Sequence, residues 1–238
     1  MSTPAVGILG GTSLLGSTLF EGAEPRNVVT PHGAVTVRLT ADVAFVQRHG
    51  EAPFVPPHRI NHHANIAAFK KLGIQNIAAV NSTGSLREDW PPGTRVVPVD
   101  YFNLFNPPTY FDEAMTFTVP GLDAGMREAL LDAARALGHE VYDGGVYTQV
   151  QGPILETPAE IRFLATVGDL VGMTMAHEAI LARELALNYA TLCLIDNYAN
   201  GIADTALALS HIDEARAENL AVAESILKEV IQQFPAGA

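Results

Sequence analysis

A chain of 238 residues, 48% of them hydrophobic and 17% charged, holds enough apolar material for one α/β domain spanning 1–238. A net charge of -12 and no basic run longer than Lys70-Lys71 exclude the footprint of a nucleic-acid binder. The single Cys193 excludes disulfide scaffolds and cysteine-type zinc sites.

No apolar run reaches the ~20 residues of a membrane span, and Met1-Ser2-Thr3-Pro4 lacks the regions of a signal peptide. No membrane partner is therefore expected, and the expected location is cytoplasmic. The high apolar fraction suggests surface covered by another subunit.

In chain order, Ala5 to Leu9 reads as a first strand ending in Gly10-Gly11. Asn27 to Thr30, Ala34 to Leu39 and Val43 to Gln47 read as short strands of an antiparallel meander, joined by turn residues. Asn61 to Leu72 has helical spacing and is closed by Gly73. Ile77 to Val80 is a strand. The segment from Phe102 to Val119, with Phe105, Pro107-Pro108, Tyr110 and Phe111, reads as an irregular aromatic loop. Apolar residues at Leu122, Met126, Ala129, Leu130, Ala133 and Leu137 predict a helix over 121–137. Then follow a strand from Val146 to Val150, a helix from Pro158 to Val167 and a strand from Leu170 to Met173. A helix over 176–187, a strand over 189–195 and a long helix over 210–234 close the chain, the last with Ser210 and Asp213 as a capping pair. Alternation of strands and helices predicts an α/β fold with a central mixed, twisted sheet flanked by helices.

Gly7-Ile8-Leu9-Gly10-Gly11-Thr12-Ser13 follows a strand, but its spacing fits neither the dinucleotide fingerprint nor the P-loop. Glycines followed by hydroxyls suit either a plain tight turn or a backbone-and-hydroxyl cradle for an anion. Cys193, inside Ala190 to Ile195, reads as buried filler.

Six motifs then occur in order. They are Gly10-Gly11-Thr12; Arg48-His49-Gly50; Pro56-Pro57-His58-Arg59-Ile60-Asn61; Asn81-Ser82-Thr83-Gly84-Ser85-Leu86; Gly152 to Glu160; and Gly172-Met173-Thr174 with Glu178 and Ala182-Arg183-Glu184. This series resembles the trimeric purine nucleoside phosphorylases and 5'-methylthioadenosine phosphorylases over nearly the whole chain. The resemblance implies a phosphate site at Thr12, Arg48, His49, Asn81, Ser82 and Thr174. An arginine fork and hydroxyls at strand ends suit an anion. Thr174 also reads as a helix N-cap. The resemblance further implies substrate contacts at Met173 under the ribose, at Leu155 where relatives often carry phenylalanine, and at Glu156 against a purine N1–H. On residues alone, Met173 fits core packing and Glu156 fits the start of the next helix.

The strand end Leu194-Ile195-Asp196-Asn197-Tyr198-Ala199 aligns Asn197 with the base-reading residue. Adenine-specific relatives carry aspartate there and again at Ala199; 6-oxopurine phosphorylases carry asparagine at the first position. A carboxamide pairs with O6 and N7 of a 6-oxopurine. Asn197 is thus the expected catalytic residue, with Ala199 marking a departure from adenine specificity. For the 5' substituent, His211 would meet a hydroxyl, and Ile212, with one residue inserted, a methylthio group. His177 stands where the family usually has proline.

The resemblance implies phosphorolysis of purine nucleosides, with S-methyl-5'-thioinosine the leading substrate. Methylthioadenosine and inosine or guanosine are the alternatives. Inorganic phosphate is the co-substrate, no metal or cofactor is implied, and the assembly implied is a homotrimer or hexamer. Outside this class stand a water-dependent nucleosidase, a non-catalytic purine-binding protein and, more distantly, a dinucleotide-dependent reductase.

Overall fold

The computed structural model describes residues 4–104, 106–203 and 209–235, with the backbone alone at 209–211, 213, 214 and 217. Eleven described strands form one mixed sheet. The meander β2 (Glu24–Thr30), β3 (Gly33–Leu39) and β4 (Val43–Gln47) pairs antiparallel, as its turn chemistry predicts. β4 then lies parallel to β1 (Val6–Gly10), and β1 lies parallel to β5 (Asn76–Ser85). β5 is the branch point. It pairs parallel with β11 (Asn188–Tyr198) and, near its end, antiparallel with β10 (Leu170–Gly172). β10 continues through β9 (Val146–Gln149) to β7 (Asp100–Phe102). β11 also pairs with β6 (Arg95–Val97), which pairs with β8 (Tyr142–Asp143).

Side chains alternate across a strand, so each central strand feeds two cores. On one face Ile77 and Ala79 of β5 and Tyr189, Cys193 and Ile195 of β11 pack with α1 (His62–Lys71) and α4 (Met175–Glu184). On the other, Ala78, Val80, Ala190, Leu192 and Leu194 pack with α2 (Ala124–Ala136) and α5 (Leu209–Gln233). Cys193 is fully buried and burial pushes its thiol pKa up, which fits filler.

Several boundaries move. β5 and β11 outrun the apolar stretches Ile77 to Val80 and Tyr189 to Ile195, because their polar ends are paired inside the protein. Asn81 Oδ1 accepts from the Thr191 hydroxyl at 2.6 Å, and the Thr83 hydroxyl donates to the Leu194 carbonyl. α2 starts at Ala124, not Gly121, since Asp123 accepts from the Met126 N–H and caps it there. α3 (Pro158–Leu164) opens with a capping box between Thr157 and Glu160, which relieves Glu156 of any capping duty. The short strands β6, β7 and β8 were not expected. α5 begins at Leu209, so Ser210 is already helical; its capping pair with Asp213, like Phe105, lies outside what is described. α4 starts without interruption despite His177, whose ring meets that of His62 edge-on at 5.4 Å.

Candidate active site

Five strands deliver their carboxyl ends to one place. Thr12 follows β1, and Arg48 and His49 follow β4. Ser82 to Gly84 belong to the end of β5, Met173 and Thr174 follow β10, and Asn197 is the penultimate residue of β11. These residues, with Pro57, Leu155, Glu156, Ile212 and Arg216, line a cavity of about 340 Å³. Carboxyl ends of strands in an open α/β sheet are where ligands bind. A second cleft of about 230 Å³ shares Pro57 and Met173 and is rimmed by His58, His62, His63 and His177.

A register shift between Ile195 and Asn197 in β11 sets the base end of the cavity. Ile195 opposes Thr83 and Asn197 opposes Gly84, so Asp196 is the extra, bulged residue. A bulge re-aims its neighbours, and here it turns Asn197 into the cavity. Its Nδ2 donates to the Tyr198 carbonyl at 2.8 Å. Asp196 points behind the wall, accepting from the Ser82 hydroxyl and, at 3.0 Å, from Asn219 Nδ2. Burial raises its pKa against those two bonds and the charge of Arg216. Burial likewise raises the pKa of Glu156, whose backbone carbonyl accepts from Asn200 Nδ2.

At the other end Arg48 is 3% exposed and held by Glu178, itself fully buried on α4. Nε donates to Oε1 at 2.6 Å and Nη2 to Oε2 at 3.2 Å. Nη2 also reaches the Leu9 carbonyl, and Nη1 the Val80 carbonyl at 2.8 Å. A guanidinium has five N–H donors, so one Nη1 hydrogen remains to face a ligand. Burial would lower the Arg48 pKa, and Glu178 outweighs it, so the group stays charged. Gly11 is required here: a Cβ would lie 2.4 Å from Arg48 Nη1.

His49 Nδ1 lies 2.8 Å from the Val55 carbonyl, which can only accept, so Nδ1 carries the proton. Burial first, then the charges of Arg48 and Arg216, lowers the His49 pKa. The neutral ring therefore presents Nε2 as an acceptor. His62, on the neighbouring cleft, is depressed further by burial and by His177. Its 3.9 Å approach to Glu178 is thus the contact of a neutral ring, not an ion pair.

Thr174 stands at the N-cap of α4 but makes no side-chain cap. Its N–H and that of Met175 donate instead to the Tyr147 hydroxyl, and the Ala176 N–H donates to Gln149 Oε1. Gly172 makes room for that hydroxyl, since a Cβ there would lie 2.3 Å from it. The Thr174 Oγ1 accepts from Asn81 Nδ2 at 2.7 Å and keeps its proton for the cavity.

Of the sequence-based candidates, Thr12, Arg48, His49, Ser82, Thr174, Met173, Leu155, Glu156, Asn197 and Ile212 share this wall. Asn81 does not; it is 1% exposed, and its amide is spent on Thr174 and Thr191, so it orients Thr174 from behind. Ala199 also stands back, packed with Leu86, Ile161, Leu164 and Val171. The side chain of His211 lies outside what is described. Sequence reasoning missed Glu178 as the anchor of Arg48, although a lone carboxylate among Ala176, Ala179 and Leu181 signals a buried partner. It also missed Arg216, one helical turn after Ile212 and hence on the same face.

Fold and site together define an α/β protein with a small-molecule cavity at the strand ends, lined by an arginine and hydroxyls at one end and by the Asn197 amide at the other. The chain belongs to the phosphorylase superfamily, whose sequence pattern matches residues 5–232. It is 41% identical to a probable S-methyl-5'-thioinosine phosphorylase of Methanopyrus kandleri, over 97% of this chain and 93% of the relative. It is 38% identical to a probable 6-oxopurine nucleoside phosphorylase of Archaeoglobus fulgidus, over 96% of each. Among solved structures, a variant of the adenosine/methylthioadenosine phosphorylase of Schistosoma mansoni in complex with methylthioadenosine superposes with a TM-score of 0.83. That pair is 26% identical and covers 97% of this chain and 91% of the other. No described helix is long and apolar enough to cross a membrane.

Proposed function

We propose that the protein cleaves the N-glycosidic bond of purine nucleosides with inorganic phosphate, and that S-methyl-5'-thioinosine is its preferred substrate. The observation that carries this reading is a single cavity with an arginine and hydroxyls at one end and Asn197 with Glu156 at the other. An oxygen of hydrogen phosphate forms the bond to C1' while the C1'–N9 bond breaks and its electron pair leaves with the purine. The proton shed by hydrogen phosphate balances the one the purine gains. The sugar passes through an oxocarbenium-like state, which the phosphate charge stabilises. Thr12, Arg48, His49, Ser82 and Thr174 surround the phosphate, Met173 lies under the ribose, and Asn197 receives the departing base. None of these steps draws on a cofactor.

Relatives named as 6-oxopurine and methylthioinosine phosphorylases support the base preference, as does asparagine at position 197. Ile212, 8% exposed and on the cavity wall, supports a methylthio group at the 5' end; replacing a hydroxyl by that group gains about 1 kcal/mol or somewhat more. The test is a panel of methylthioinosine, methylthioadenosine, inosine, guanosine and adenosine, each with and without phosphate. Turnover only with phosphate, fastest on methylthioinosine, is expected. Equal turnover without phosphate overturns phosphorolysis in favour of a nucleosidase, and no turnover at all leaves a purine-binding protein. Inosine in first place gives the 5' end to a hydroxyl.

The assembly we propose is a homotrimer. Its support is an apolar patch on the 102–119 loop, where Met115 is 94%, Phe117 90% and Val119 75% exposed, more than a free surface normally carries in one place. Sedimentation equilibrium should give three times the mass of the chain, and an active monomer overturns this reading.

A further inference from the structure

Phosphate arrives at neutral pH as a mono- and dianion, and the polar end of the cavity is poorly charged for it. Arg48 is neutralised by the two-point pairing with Glu178 and has four of its five N–H donors committed. His49 is neutral, its pKa lowered and its Nδ1 proton spent on Val55. The Ser82 hydroxyl proton is spent on Asp196, which adds a carboxylate behind the wall. Thr12 and Thr174 are uncharged. Among the described residues, what remains on this wall with a positive charge is Arg216 of α5, part-buried and lining the same cavity. Its field reaches both flanks of this end, lowering the pKa of His49 on one side and of Asp196 on the other. Its helix is fixed to the site at Asn219, three residues on, through the 3.0 Å bond to Asp196.

We propose that Arg216 is a phosphate-holding residue, the second guanidinium of the anion site, and that it supplies the charge which the Arg48–Glu178 pair withholds. This rests on the phosphorolytic reading and deepens it. Arg48 gives a rigid single N–H from beneath, while the planar fork of Arg216 closes on the phosphate oxygens from the α5 side. Such a division of labour has a reason. A carboxylate-locked arginine is preorganised, but the pair it forms carries almost no net charge, and an anion needs net charge as well as donors.

The experiment compares wild type with Arg216→Leu, Arg216→Gln and Arg216→Lys in two readouts. The first is the rise in Tm on adding inorganic phosphate, with chloride at equal ionic strength as control. The second is the pair of KM values, for phosphate and for the nucleoside. The Leu and Gln variants should lose most of the phosphate-induced rise and show a KM for phosphate raised roughly 10- to 100-fold. Their nucleoside KM should move less than about threefold, and the Lys variant should recover part of the loss. The Gln variant keeps the site polar and carries the test if the Leu variant does not fold. A Leu or Gln variant that responds to phosphate as wild type does overturns the role of Arg216 and leaves phosphorolysis standing. A raised nucleoside KM with unchanged phosphate response overturns it too, by placing Arg216 on the nucleoside. A wild type that neither responds to phosphate nor requires it for cleavage overturns the phosphorolytic reading, and this proposal with it.

Discussion

Replacing Arg48 by alanine should lower phosphorolytic kcat/KM by at least two orders of magnitude and also weaken the fold. The two effects have different causes and can be separated. The activity loss follows from the remaining Nη1–H facing the cavity and from the shape that the guanidinium gives the loop at Gly11. Charge-assisted bonds to an anion contribute roughly 1.5–3 kcal/mol each, and loss of position around the nucleophile adds to that. The stability loss follows from Glu178, which is fully buried and bonded to Arg48 at 2.6 Å. Without the arginine its carboxylate is a buried charge left with the Tyr189 hydroxyl at 2.8 Å as its remaining hydrogen-bond donor among the described residues. Breaking a buried pair from one side costs about 3–5 kcal/mol.

The double variant Arg48→Ala/Glu178→Gln resolves the two. Glutamine still accepts from Tyr189 but carries no charge, so most of the lost stability should return while activity stays at the level of the single variant. Chemical denaturation of the four proteins of this cycle, beside their phosphorolysis rates, makes the comparison. Recovery of activity together with stability would mean that Arg48 serves only to hold the fold.

The parts of this arrangement that obey periodicity were legible in the sequence. The meander, α1, α2 and the first strand with its Gly10-Gly11 end follow from alternation, helical spacing and glycine at the turns. Less legible were elements whose polar residues are buried. Asn81, Ser82, Thr83 and Asp196 look like loop residues, yet they continue β5 and β11 to the cavity because each finds a partner on a neighbouring element. Such partners lie more than 90 residues away for most of them, beyond any local pattern. The same distance hides Glu178 behind Arg48, 130 residues apart. The bulge at Asp196 is also silent in the sequence, since one extra residue in a long strand leaves no composition signal. The motif series carried the candidate site where local pattern failed. It gave residues and roles but not who bonds to whom, which is why Asn81 and Ala199 stand one layer further back than expected.

The second large effect is expected at Asn197. As the C1'–N9 bond breaks, negative charge gathers on N7 and O6 of the purine. A carboxamide answers both positions, its oxygen accepting from N7–H as the proton arrives and its second amide hydrogen donating to O6. Asn197→Ala removes a prepared donor at the point of charge development, and kcat should fall about 10²- to 10³-fold with a smaller change in nucleoside KM. Asn197→Asp tells more. A carboxylate cannot donate to O6 but accepts from a 6-amino group, so the ratio of kcat/KM for methylthioinosine over methylthioadenosine should drop. The mismatch of a buried polar edge is about 1–3 kcal/mol, or roughly 5- to 150-fold in that ratio. An unchanged ratio would remove Asn197 from base recognition. Glu156 provides the internal control, since its carboxylate can accept from the N1–H of a 6-oxopurine, whereas adenine has no N1–H to offer. Burial raises the Glu156 pKa, and the ionised form is the much stronger acceptor. Acidification through that raised pKa therefore protonates Glu156 and lowers the methylthioinosine rate while sparing methylthioadenosine. Glu156→Gln should abolish this difference between the two pH profiles, and its persistence in the variant would assign the pH dependence to another group.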